Sequence, residues 1–217
     1  MAKTWSADDP KAALMARKRA LIVNAAQKAF LESGYAEASV NHIAEEAGVS
    51  IKTLYRHFES KDDLFNAVMQ GACGNGANDD AEANKEPPAW YAAAPAKAFP
   101  LAGEAYLRHI LSPDQLALYR VVVRDSDRFP ELGHRYLEVA AGGRDRVFAD
   151  YLDLWREREG WKVRDNRAAA QIYASLLKSS IFDDVLLGLP VPSAKEIRVQ
   201  ARSAAENMLT LLRAGRF

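Results

Sequence analysis

Apolar residues recur along most of this chain with the spacing of an α-helix, and the period-two alternation of strands is weak. After Ser39, for example, Val40, Ile43, Ala44 and Ala47 stand at positions i, i+3, i+4 and i+7, which form one stripe on a helix. The pattern therefore predicts an all-α protein of about nine helices.

The first four helices have recognisable start and stop signals. The first is predicted to begin near Asp9-Pro10 and to end at Gly34, where a residue free to take a positive φ is needed. Its predicted inner face consists of Leu21, Ile22, Ala25, Ala26, Ala29 and Phe30. Gly48 is expected to end the second helix. The second, third and fourth helices are predicted to start at the N-cap residues Ser39, Ser50 and Ser60.

A segment rich in Gly, Ala, Asn and Pro interrupts the helical pattern between two larger parts. Long structureless segments are unusual inside a compact domain, so we expect the fourth helix to extend into it and Trp90 and Tyr91 to pack. The predicted division is an N-terminal arm at 1–16, an N-terminal helical domain at 17–70, the connecting segment at 71–100 and a C-terminal helical domain at 101–217.

Further helix starts and one bend are predicted in the C-terminal part. Ser112-Pro113 is expected to open a helix whose buried residues are Leu116, Tyr119, Val122 and Val123. A later helix is expected to bend at Gly142-Gly143. Ser193 and Glu196 have the spacing of a capping box at the start of the last helix.

The charges of the chain cancel, with 29 basic and 29 acidic residues, so any attraction for nucleic acid has to be local. Residues 10–31 contain no acidic residue and carry the cations Lys11, Arg17, Lys18, Arg19 and Lys28. Such a stripe attracts phosphates. The alternative is that these cations only solvate a helix surface.

Cysteine usage and hydropathy bear on the compartment. Cys73 is the single cysteine, which excludes an internal disulfide and fits a reducing compartment. The N-terminal residues lack the apolar segment of a secretory signal, and no apolar run reaches the about 18 residues that span a bilayer. We therefore expect a cytoplasmic protein with no membrane partner and an incidental Cys73.

The third helix has an apolar side and a cationic side. On a helical wheel, Leu54 and Phe58 lie near Ile51 on the inner side, and Tyr55 lies at the edge of that face. The opposite side carries Lys52, Thr53, Arg56 and His57. A helix, a turn with glycine and a second helix form the helix-turn-helix plan, in which the second helix enters the major groove of DNA.

Base and phosphate contacts follow from the residue types on this helix. Lys52 can donate to guanine, whereas Thr53 can hydrogen-bond a base edge or cover a thymine methyl group. The Tyr55 hydroxyl can reach a phosphate. His57 and Lys61 are placed for the DNA backbone, Lys61 in the first turn of the fourth helix.

Residues 22–68 resemble the DNA-binding domain of TetR-family transcriptional regulators. The shared pattern is S-V-x-x-I-A-x-x-A-G-V-S followed by T-L-Y-R-H-F and S-K-x-x-L. The resemblance implies contacts to a palindromic double-stranded operator from Ser39, Ser50, Lys52, Thr53, Tyr55, His57 and Lys61; Arg17 and Arg56 complete our candidate set. Many members of the family have glycine where this chain has Lys52.

Residues 118–138 resemble the effector domain of the AefR-like subgroup of that family. This resemblance implies a small-molecule pocket in the C-terminal helices and a homodimer formed by the last two helices. Candidate pocket residues for an apolar or aromatic effector are Tyr106, His109, Tyr119, Phe148, Tyr151, Trp155 and Phe182. The alternative is that these aromatic residues fill an ordinary core.

The last two helices are rich in small residues, which permit close approach of helices. Candidate residues of a dimer interface are Ala174, Leu177, Ile181, Ala201, Ala205 and Met208. The alternative is ordinary packing within one chain. Dimerisation would have a physical purpose, because two half-sites specify far more sequence than one short helix reads.

The sequence lacks the usual signatures of enzymes and metal sites. His134 and Glu138 have a spacing that fits a metal ion, but no third ligand accompanies them. Asp125 and Asp127 are interpreted as solvated residues or as ion-pair partners of nearby arginines. No nucleophile elbow, P-loop or dinucleotide fingerprint occurs, so we expect no catalytic residue, no metal and no cofactor.

The leading hypothesis is therefore a homodimeric, ligand-responsive transcriptional regulator, a repressor that an apolar or aromatic effector releases from its operator. One alternative is a helix-turn-helix activator or a global DNA-binding protein. Another is a helical small-molecule carrier or enzyme in which the N-terminal helices are only structural.

Overall fold

The computed structural model describes residues 10–72 and 87–215, which contain ten α-helices and no strand. The predicted all-α class is thus confirmed, with one helix more than expected. The helices are α1 Pro10–Glu37, α2 Val40–Glu46, α3 Ile51–His57, α4 Lys61–Ala72, α5 Pro95–Ile110, α6 Pro113–Asp125, α7 Pro130–Arg135, α8 Gly142–Glu159, α9 Asn166–Leu186 and α10 Ala194–Arg213. Cys73, residues 1–9 of the predicted arm and residues 73–86 of the connecting segment lie outside the described residues.

The described residues pack into two compact units. The first unit consists of 10–72 together with 117–139, and the second of 87–116 together with 140–215. Sequence reasoning had placed 117–139 with the C-terminal helices. These residues join the N-terminal core instead, because Leu118, Val121, Val122 and Leu132 are buried with its helices.

The core of the first unit follows the predicted apolar stripes, with three shifts. Leu21 and Val123, which were expected to be buried, are exposed, and Val121 is buried in place of Val123. Ile51 keeps 38% of its surface exposed, whereas Leu54 is fully buried. Phe58 is buried too, but it stands just after α3 in an extended conformation. Helical spacing identified these faces correctly only to within two residues.

The break in α1 lies at the expected glycine. Gly34 takes a φ of 84° and a ψ of 175°, so α1 is two helical segments joined at this residue. A side chain at this position would also collide with the guanidinium of Arg124. Gly48 likewise takes a positive φ, of 65°, directly after α2.

Aromatic side chains dominate the core of the second unit. Phe99, Phe148, Tyr151 and Tyr173 are buried, and the Tyr173 hydroxyl donates a hydrogen bond of 2.6 Å to the Phe99 carbonyl. Burial raises the pKa of Tyr173, which keeps the phenol protonated as this donor. The expectation that Trp90 and Tyr91 pack is confirmed, since both ring centroids lie 5.5 Å from that of Tyr151.

Two irregular segments interrupt the helices of the C-terminal part. A π-helix at Tyr136–Ala141 leads into α8, directly before the glycine pair at which a bend was predicted. Ser179 breaks α9 with a φ of 41°, and no sequence signal predicted this break. The Gln200 side-chain amide donates to the carbonyls of Leu176 and Leu177, at 2.8 and 3.3 Å, on the N-terminal side of that break.

The last helix starts as predicted. The Ser193 side chain accepts from the Glu196 backbone N–H, and the Glu196 carboxylate accepts from the Ser193 backbone N–H, which is the complete capping box. None of the helices in residues 10–72 and 87–215 combines the length and apolar character that crossing a membrane requires.

Candidate nucleic-acid interface

Helices α2 and α3 and the turn between them form the predicted helix-turn-helix. The turn closes with a 3.0 Å hydrogen bond from the Val49 N–H to the Ala44 carbonyl. Ser50 is the N-cap of α3, as predicted, because its Oγ accepts from the Thr53 N–H at 3.2 Å. Buried Leu54 then fixes the inner side of α3 on the core of the first unit.

The outer side of α3 is presented at the surface. Lys52 and Arg56 are exposed, Tyr55 is 51% exposed and Thr53 is half-buried. Ser39 precedes α2 as expected, but its side chain makes no capping hydrogen bond and is exposed. Polar groups that folding leaves exposed on one face are available to DNA, which carries both phosphates and base edges.

Some cations of the basic stripe on α1 contact other residues of the chain. Lys28 pairs with Glu46 at 3.2 Å, and the Arg19 guanidinium lies 5.1 Å from the centroid of the Phe58 ring. Arg17 is exposed. The Arg56 guanidinium contacts the sulfur of Met15 at 3.7 Å, so α1 and α3 meet beside this stripe.

His57 is half-buried at the end of α3, and its Nε2 has no hydrogen-bond partner among the described residues. Burial is the main cause that lowers the pKa of the imidazole. Smaller contributions in the same direction come from the charges of Arg56, Arg19 and Lys18. The lowered pKa favours the neutral imidazole at pH 7.

Lys61 lies against the C-terminal part of α1. Its ammonium donates to the Ala36 carbonyl at 3.0 Å and stands 4.8 Å from the centroid of the Tyr35 ring. Burial lowers the pKa of Lys61, whereas Glu37 and Asp125 raise it by less. An ammonium has three N–H donors, so the bond to Ala36 leaves donors for a phosphate.

The Asp125 carboxylate stabilises the break in α1. Asp125, at the end of α6, is buried and accepts a 2.6 Å hydrogen bond from the Tyr35 backbone N–H. Its neighbour Arg124 pairs with it at 3.0 Å and donates to the Ser33 carbonyl at 3.2 Å. Of the two interpretations of Asp125, the solvated residue is wrong and the ion-pair partner of a nearby arginine is confirmed. Asp125 stands three residues after buried Val122, four after Val121 and seven after Leu118, so helical spacing places it on the buried side of α6.

Two family models match the chain. Residues 22–68 match the model of bacterial regulatory proteins of the TetR family, and residues 98–213 match the C-terminal domain of AefR-like transcriptional repressors. The chain belongs to the TetR family of transcriptional regulators. Both resemblances that the sequence motifs suggested are thereby confirmed.

Individual relatives of this TetR-family chain agree. The transcriptional activator FasR of Mycolicibacterium smegmatis is 43% identical over 53 residues, 24% of either chain. A transcriptional regulator of Staphylococcus aureus strain USA300 is 46% identical over 52 residues, 24% of this chain and 28% of its own. The chain thus matches only about a quarter of the length of these curated relatives.

Solved structures resemble the whole fold. A TetR-family regulator from Mesorhizobium loti has a TM-score of 0.76 at 24% identity, with 91% of this chain and 97% of that one covered. The flavonoid-responsive regulator FrrA has a TM-score of 0.73 at 26% identity, with 90% and 96% covered. The TetR fold therefore extends over both units of the chain.

The candidate pocket residues are divided between the two units. Phe148 and Tyr151 are buried in the second unit, where Tyr106, His109, Trp155 and Phe182 are half-buried. Tyr119 belongs to the first unit instead, and its ring centroid lies 5.4 Å from that of Tyr136. Trp161 is buried in the same core as Phe148 and Tyr151, and its Nε1 has no hydrogen-bond partner among the described residues.

Most candidate dimer residues lie inside their own chain. Leu177, Ala201, Ala205 and Met208 are buried in the core of the second unit. Buried side chains cannot touch a second copy, so packing within one chain, the alternative reading, describes these four. Ala174 and Ile181 are half-buried. The exposed large apolar residues of the same two helices are Ile172 and Val199.

Proposed function

We propose that this TetR-family regulator is a cytoplasmic homodimeric repressor that leaves a palindromic operator when a small apolar or aromatic effector binds. The observation that carries the DNA-binding part is the exposed cationic side of α3, which buried Leu54 and the Ser50 cap hold in place. Ser39, Ser50, Lys52, Thr53, Tyr55, His57 and Lys61, with Arg17 and Arg56, are the proposed contacts.

Replacing Lys52 with alanine is expected to weaken operator binding about tenfold. The slope of log K against log salt concentration is expected to fall by about one, which corresponds to one lost phosphate contact. Tyr55→Phe, which removes one hydroxyl, is expected to cost about threefold. Fluorescence anisotropy at several salt concentrations measures both, on an operator selected from random duplexes. Lys97→Ala, at an exposed position on α5, is the matched control. Unchanged affinity in both α3 variants would contradict the assignment of α3 as the reading helix.

Two features support a dimer through the outer faces of α9 and α10. Val199 is 62% exposed and Ile172 is 40% exposed, so each of the two helices presents a large apolar side chain at its surface. Shallow grooves of about 400 Å³ follow the same faces, one beside Ile172 and Leu176 and another beside Ile181 and Val199. In a two-fold dimer the same patch faces itself.

Val199→Asp is expected to weaken dimerisation at least about tenfold, because it replaces an apolar side chain of the proposed interface by a carboxylate that has to lose its water on association. Sedimentation velocity over a dilution series measures the dimer–monomer equilibrium. Val123→Asp introduces the same charge at a valine of similar exposure on α6 and is expected to remain dimeric. A Val199→Asp protein that stays dimeric would move the interface elsewhere.

The similarity to FrrA, which is described as flavonoid-responsive, supports an aromatic effector. The mechanism is a coupling free energy: the effector favours a conformation whose two reading helices no longer fit successive major grooves. Titrating a flavonoid such as naringenin against the protein–operator complex tests release. Candidate pocket residues of the second unit are Tyr106, His109, Phe148, Tyr151, Trp155 and Phe182.

The alternative to repression is activation of transcription. The matched C-terminal model describes repressors, which favours repression, whereas the relative FasR is an activator. A promoter–reporter fusion with and without the regulator decides between them. A footprint confined to one palindrome favours a specific regulator over a global DNA-binding protein, and a protein with no salt-dependent DNA affinity would instead be a carrier or enzyme.

A further inference from the structure

The N-terminal turn of α3 contains a hydroxyl pair that fixes one side chain. Ser50 Oγ accepts from the Thr53 N–H at 3.2 Å and lies 2.9 Å from Thr53 Oγ1. The Thr53 oxygen is therefore turned towards the cap of its own helix. Whichever hydroxyl donates the second bond, both oxygens are engaged with each other.

This pairing decides which part of Thr53 is left for a ligand. A threonine Cβ carries its hydroxyl and its methyl group in different staggered positions, so the methyl group cannot occupy the direction that the oxygen takes. With Oγ1 held at Ser50, the methyl group is the part of the half-exposed Thr53 side chain that has no hydrogen-bonding role.

The position of Thr53 gives that methyl group a target. Thr53 is the third residue of α3, and the N-terminal residues of a reading helix are those that meet base edges. On the wheel it flanks Lys52 and Arg56, which lie opposite buried Leu54. The thymine methyl is the apolar group that the major groove presents.

We propose that Thr53 reads a thymine by packing its methyl group against the thymine methyl, while Ser50 holds its oxygen away from the base edge. The proposal rests on the DNA-binding role of α3 and adds the base that one residue specifies. Lys52 supplies charge and a donor, and Thr53 supplies the apolar discrimination.

The test replaces the thymidines of the selected operator by deoxyuridine, one position per half-site at a time, which removes only the methyl group. Replacement at one of these positions is expected to lower the operator affinity of the wild-type protein about fourfold per half-site. This factor is equivalent to about 0.8 kcal/mol, the value for one buried methyl(ene) group. Thr53→Val keeps the methyl group and lacks the hydroxyl, so it is expected to retain this sensitivity. Thr53→Ser keeps the hydroxyl and lacks the methyl group, so it is expected to lose it.

Each result bears on the proposal. It is overturned if no replacement weakens the wild-type protein, if the selected half-site contains no thymine, or if Thr53→Ser keeps the full sensitivity. It is also overturned if Thr53→Val, which keeps the methyl group, becomes insensitive. Wild-type protein that binds the operator with normal salt dependence but ignores deoxyuridine refutes only this inference, whereas absence of binding to any duplex refutes the proposed function itself.

Discussion

Gly34→Ala is expected to lower the stability of the first unit by about 3 kcal/mol and to abolish operator binding. The backbone at Gly34, with φ 84° and ψ 175°, lies in a region that is essentially restricted to glycine and costs other residues about 1–3 kcal/mol. The new Cβ would also displace the Arg124 guanidinium, which donates to the Ser33 carbonyl. Chemical denaturation followed by circular dichroism measures the loss.

Two other glycines separate these causes. Gly48→Ala places a Cβ at a positive φ of 65° in open space, so only the left-handed strain of about 1–2 kcal/mol applies. Gly71→Ala lies in α4 with open space around the Cβ, and it is expected to be neutral or stabilising. If Gly34→Ala cost no more than Gly48→Ala, the collision with Arg124 would be irrelevant to folding.

Asp125→Ala is expected to destabilise the protein by about 3 kcal/mol, because it leaves the buried Tyr35 N–H without its acceptor. The charged acceptor matters more than a neutral one, since hydrogen bonds to ionised groups are about twice as strong. Asp125→Asn keeps an acceptor oxygen and is expected to recover part of the loss. Thermal melts, together with operator affinity measured below the transition, distinguish these variants.

The control for Asp125 lies two residues away. Asp127 is exposed, so Asp127→Ala removes the same charge and is expected to change stability by less than about 0.5 kcal/mol. Equal losses for the two alanine variants would show that net charge, rather than the bond to Tyr35, is responsible.

Local signals in the sequence were reliable where the physics is local. The caps Ser50 and Ser193 act within one helical turn, and the positive φ of Gly34 and Gly48 is a property of single residues. The exposed cationic side of α3 was predictable as well, because buried Leu54 fixes the orientation of a short helix.

Features that depend on distant residues were not predictable in the same way. The break at Ser179 coincides with hydrogen bonds from Gln200, about twenty residues later in the chain, to carbonyls just before the break. The burial of Ala201 and Met208 depends on which side of α10 packs within the chain. Helical spacing defines a stripe, but small and apolar residues suit an intrachain core and an interface equally well.

The discontinuity of the first unit limits how modular this regulator is. Leu118, Val121 and Leu132, which complete its core, lie in the part of the chain that matches the C-terminal model. A chimera that grafts residues 10–72 onto a foreign effector domain would discard these side chains together with Asp125. Recombination between relatives therefore has to transfer residues 117–139 together with the DNA-reading helices. A single crossover in the connecting segment would separate these two parts of the first unit.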